Sequence, residues 1–126
     1  MTDGQDPISV ANRWIEAYNE RDYDTLRTLM SDDLHMVHHN RAVDLEGPEA
    51  AIGIMVQFDG MLSKKLFHST RRQFTDGTRV VTEQTWEATA IVDIPGFVGK
   101  DETIQLELCC VWTVENGQVV EYDDYG

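Results

Sequence analysis

Glu115-Asn116-Gly117-Gln118-Val119-Val120-Glu121-Tyr122-Asp123-Asp124-Tyr125 closes the chain with an Asn-Gly pair between two apolar runs. Both turn residues tolerate the positive φ that a tight hairpin requires, so the flanking runs, 103–114 and 118–125, are read as antiparallel strands. Upstream, Thr75-Asp76-Gly77 and Ile94-Pro95-Gly96-Phe97-Val98-Gly99 bound two more runs, 66–74 and 79–93. The carboxyl-terminal half therefore reads as a four-strand meander.

The amino-terminal half reads differently. Asp6 and Pro7 supply an N-cap and a proline at the first helical position, and Val10, Trp14, Ala17 and Tyr18 recur at helical spacing, which predicts a helix over 7–20. Asp22 caps a short second helix with Tyr23, Leu26, Leu29 and Met30 on one face. A strand-like run follows from Leu34 to Asn40, and Gly47-Pro48-Glu49 starts a third helix reaching about Leu62. Helix, helix, strand, helix and four strands make an α+β class with helices on one face of a curved sheet. A concave face only partly filled by helices leaves an internal pocket, a common small-molecule site. At 126 residues the chain is read as a single domain, 1–126.

Asp and Glu number 23 against 10 Lys and Arg, a net charge of −13. That field repels nucleic-acid phosphates and anionic lipid surfaces, so neither is expected as a partner. Met1-Thr2-Asp3-Gly4-Gln5-Asp6 lacks the basic and apolar regions of a signal peptide, and a cytoplasmic location is expected. Cys109 and Cys110 are adjacent, point to opposite faces of a strand and are read as reduced thiols.

The run Ala11-Asn12-Arg13-Trp14-Ile15-Glu16-Ala17-Tyr18-Asn19-Glu20-Arg21-Asp22-Tyr23-Asp24, then Ser31-Asp32-Asp33 and Gly47-Pro48-Glu49-Ala50-Ala51-Ile52, resembles the SnoaL-like branch of the nuclear transport factor 2-like superfamily. The closing hairpin is similar to that of SnoaL-like polyketide cyclases and limonene-epoxide hydrolases. The resemblance implies a cone-shaped α+β barrel, its curved mixed or antiparallel sheet wrapped around the amino-terminal helices, and a homodimer. It leaves function open, because the superfamily hosts isomerases, cyclases, epoxide hydrolases, dehydratases and non-catalytic binders.

Alternation along 34–41 puts Met36, His38 and Asn40 on one face. Ketosteroid-isomerase relatives carry a carboxylate base at the position matching His38, and the epoxide hydrolases a water-holding asparagine near Asn40. An imidazole takes a proton near neutral pH, so His38 is the candidate base. In the last strand Val120, Tyr122 and Asp124 share a face, and the resemblance places a catalytic acid at Asp124. Gln84 and Trp86 stand where the epoxide hydrolases hold an arginine and a second aspartate, which argues against epoxide hydrolysis. With Trp14, Tyr18, Trp112 and Tyr122, they suit a wall for a planar apolar ligand, or plain core packing.

His35, His38, His39 and His68 are not expected to hold a metal, since neighbouring strand residues point oppositely and at most two converge. Lys64-Lys65 and Arg71-Arg72 are read as solvated pairs or ion-pair partners. The expected function is cofactor-independent acid/base chemistry on a small hydrophobic carbonyl compound, as in an aldol-type cyclase or an isomerase. The alternatives are a binding protein without chemistry, or a hydratase or dehydratase using the same His38 and Asp124.

Overall fold

The computed structural model describes residues 5–126. The reading of Met1-Thr2-Asp3-Gly4 as the start of a chain without a leader lies outside the described residues. Helix α1, Pro7–Glu20, starts at Asp6, whose carboxylate accepts from the Ser9 backbone N–H, and ends at Arg21 in a left-handed turn. Val10, Trp14, Ala17 and Tyr18 form its buried face, joined by Ala11. Helix α2, Tyr23–Leu29, is capped by Asp22 as expected. Helix α3, Pro48–Asp59, stops short of Leu62, because Gly60 and Met61 turn their N–H groups back onto Gln57 and Phe58.

Six strands follow the chain as β1 (Met30–His38), β2 (Val43–Glu46), β3 (Leu62–Thr75), β4 (Arg79–Ala90), β5 (Thr103–Glu115) and β6 (Gln118–Tyr125). Strand β2 was not expected, since four residues of alternating partial exposure carry little pattern. The order is β2-β1-β6-β5-β4-β3, antiparallel throughout except that β1 runs parallel to β6. The sheet curves around the helices without closing, and β2 and β3 remain as edges. Among the described residues no helix is long and apolar enough to cross a membrane.

Bulges decide which side chains face inward. Between the pairs Val114–Val119 and Thr113–Glu121, β6 carries one residue more than β5, so Val119 rather than Val120 joins Tyr122 and Asp124 on the inner face. The alternation expected from the sequence fails at that point because a bulge shifts its phase by one residue. Strand β3 holds two more bulges, with one extra residue near Lys64 and two near Ser69, and Lys64 and Ser69 are both at positive φ. Between the helices and the concave face sits an aromatic core: Trp14 stacks on Tyr18 and on Tyr122 and meets Trp112 edge-on.

Candidate active site

Parallel pairing sets Met36 beside Tyr122 and His38 beside Asp124, while Cys110 of β5 lies opposite Asp124. Strand β1 ends at His38. The Arg41 N–H bonds back to the His38 carbonyl, and Ala42 takes a left-handed φ before β2 begins. This turn folds Arg41 over the end of the sheet, where Nη2 donates to Asp124 Oδ1 at 2.9 Å. The Tyr122 hydroxyl donates to Asp124 Oδ2 at 3.0 Å, and His38 Nε2 stands 3.5 Å from that oxygen. Asp124 is therefore a buried acceptor serving a guanidinium and a phenol.

Arg41 Nη1 is also buried, yet finds no hydrogen-bond partner among the described residues. Burial holds the His38 imidazole below its ordinary pKa, Asp124 opposes that shift, and Arg41 and His39 reinforce it. Behind these groups, Tyr122 Oη lies 3.3 Å from Cys110 Sγ, towards which Gln84 Nε2 points at 3.7 Å. Burial pushes the Cys110 thiol up to about 12 and the Tyr122 phenol well above its usual range, so both keep their protons at neutral pH.

His38, Arg41, Tyr122 and Asp124 line one part of a cavity of about 230 Å³. Its remaining wall is largely apolar, with Trp14, Tyr18, Phe67 and Trp86 as the aromatic faces and Ile94 and Phe97 from the β4–β5 loop. The Trp86 indole donates to Tyr18 Oη at 2.9 Å, locking two wall residues together.

Six of the nine residues expected from the sequence thus meet in this cavity: His38, Asp124, Trp14, Tyr18, Trp86 and Tyr122. Three do not. Asn40 is exposed and donates to the Gly126 carbonyl, because β1 has already ended and the turn carries its side chain outward. Gln84 and Trp112 are buried one layer behind the wall, in contact with Cys110 and with Trp14 and Tyr122 respectively.

Two lining cations, Arg41 and Lys65, were missed. No pattern in the sequence marks a turn arginine as folding back over a strand end. Arg41 comes from the β1–β2 turn rather than from positions 84 or 86 of β4. Asp124 is the only carboxylate lining the cavity among the described residues. His35, His39 and His68 pair instead with Asp44, Asp123 and Glu87.

The SnoaL-like domain family matches this chain over residues 11–122. The fold is similar to that of a candidate polyketide cyclase from Pseudomonas putida KT2440, with a TM-score of 0.80 at 19% identity, over 100% of this chain and 92% of that one. An LEH-like epoxide hydrolase from M. tuberculosis aligns with a TM-score of 0.73 at 23% identity, over 94% of this chain and 80% of that one. A protein of ketosteroid isomerase-like fold from Catenulispora acidiphila DSM 44928, solved with trimethylamine, aligns with a TM-score of 0.79 at 17% identity, over 95% and 86%. No curated protein matches the chain significantly.

Proposed function

This chain belongs to the SnoaL-like domain family, and from that premise we propose that its cavity is the active site of a cofactor-independent acid/base enzyme. The substrate class is a small hydrophobic carbonyl compound, and the reaction an aldol-type cyclisation or an isomerisation. The observation that carries this proposal is the buried Arg41 Nη1, without a hydrogen-bond partner among the described residues, beside the largely buried His38.

An enolising enzyme needs a base for the α-proton and a donor for the oxygen that becomes negative. His38, kept neutral by burial, takes the proton at its unprotonated ring nitrogen while the C–H electron pair moves onto the carbonyl oxygen. Arg41 Nη1 donates to that oxygen. Asp124 holds the guanidinium in place through Nη2, and its charge favours the imidazolium that forms 3.5 Å away.

The proton then returns from His38, either to another carbon of the same molecule or to the alkoxide left when the enolate carbon has attacked a second carbonyl. In this cycle Asp124 is a positioning carboxylate and the His38 imidazolium is the acid, which differs from the acid role expected for Asp124. A base of this kind contributes about 10²–10⁴-fold in rate.

An apolar cavity of about 150 Å³ holds benzene, so about 230 Å³ suits a one- or two-ring compound. The test is exchange of α-protons of small aryl and cyclic ketones with solvent deuterium, comparing the wild-type chain with His38→Ala. Retained ligand affinity without exchange would mark a binder instead.

A further inference from the structure

Lys65 is not the solvated lysine expected from the sequence. It is 3% exposed and lines the cavity. Strict alternation from the inward Leu62 would turn Lys64 inward and Lys65 outward. Instead β3 carries one extra residue between the pairs Ser63–Thr89 and Leu66–Glu87, with Lys64 at a φ of 53°. A non-glycine residue in that region is strained, and the bulge turns Lys65 into the cavity.

An ammonium has three N–H donors. Lys65 Nζ donates to the Met55 carbonyl at 3.1 Å and pairs with Asp59 Oδ1 at 3.0 Å, leaving one N–H towards the Tyr18 ring, whose centre is 4.7 Å away. Asp59 does not serve Lys65 alone, since it also accepts from Arg21 Nε and from the Tyr23 hydroxyl. One carboxylate therefore faces two cations. Among the described residues the cavity wall itself carries Lys65 and Arg41 against Asp124, a net positive lining inside a chain of net charge −13. Burial lowers the Lys65 pKa, so a bound anion would restore stability to its charged form.

We propose that Lys65 is an anion subsite, separated from His38 by the stack Tyr122–Trp14–Tyr18, and that the ligand is a ring compound bearing a carboxylate on the side remote from its reacting carbonyl. The assignment presumes that the cavity is the carbonyl site proposed above.

Calorimetric titration with 4-acetylbenzoate and with its neutral isostere 4-isopropylacetophenone tests it. The wild-type chain binds 4-acetylbenzoate at least about tenfold more tightly than Lys65→Met does, the scale of a charge-assisted hydrogen bond, and both bind the isostere equally. No charge preference in the wild type, or an equal loss for both compounds on substitution, overturns the proposal.

The wild-type comparison of the two compounds needs no variant. Should Lys65→Met fold poorly by circular dichroism, the pair Asp59→Asn with Lys65→Met removes both charges together. Deuterium exchange at the acetyl methyl separates the two proposals. Exchange without charge preference overturns the Lys65 subsite alone, and charge-selective binding without exchange overturns the chemistry alone.

Discussion

Arg41 and Asp124 form a one-armed pair: Nη2 meets Oδ1 at 2.9 Å, while the other arm of the guanidinium, Nη1, is buried and unpartnered among the described residues. A fork that could grip a carboxylate with both arms uses only one. Replacing Arg41 by Met should lower the enolisation rate by about 10²–10³-fold, with a smaller effect on ligand affinity. Arg41→Lys, which keeps the charge but not the second donor arm, should recover little of that rate. Steady-state exchange kinetics, read as kcat against KM, check both variants.

The acid limb of activity follows the His38 imidazole. Burial sets it below the ordinary value of 6.5, so the base form persists and activity is retained below that pH. Asp124 raises and Arg41 lowers this pKa. Asp124→Asn should therefore move the limb to lower pH and Arg41→Met to higher pH, both readable by NMR titration of the His38 ring. The same shift bears on stability. A histidine whose folded pKa is depressed lets the unfolded chain bind its proton first, so the folded state loses stability as pH falls below about 6.5. Above that pH it has no effect, and His38→Gln should remove this contribution.

Much of the fold was legible in the chain. Asp6-Pro7, Asp22 and Gly47-Pro48 mark helix starts through local backbone chemistry, and Asn116-Gly117 marks a hairpin for the same reason. The site was only partly legible, because facing depends on register. Asp124 and Tyr122 were placed correctly on one face, but Val120 was not, since the β6 bulge leaves no mark in an apolar run. Lys65 reads as an ordinary surface lysine until the Lys64 bulge turns it inward. Arg41 depends on a turn whose path is fixed by tertiary contact with Asp124. Asn40 failed for the converse reason, an alternation carried past the end of its strand.

Asn19 ties helix α1 to the bulged strand β3 through both hydrogen bonds of the Phe67 backbone: its Nδ2 donates to the carbonyl and its Oδ1 accepts from the N–H. Asn19→Ala leaves two part-buried backbone groups without these partners and should cost about 1–3 kcal/mol. Urea unfolding should show a lower midpoint with an unchanged slope.

Tyr122→Phe separates packing from polarity. The ring still stacks on Trp14 at 5.2 Å between centroids, but Asp124 loses its phenol donor. A loss of about 1–3 kcal/mol is expected for the bond to a buried carboxylate. The exchange rate should fall with it, because the carboxylate that positions Arg41 is less firmly held.

The most direct test of the central claim follows α-proton exchange by NMR in deuterium oxide, using small ketones first shown by thermal shift to bind. The account requires wild-type exchange well above the buffer rate, abolished in His38→Ala while binding persists. Exchange at the buffer rate for every ketone that binds, or undiminished exchange in His38→Ala, would contradict it.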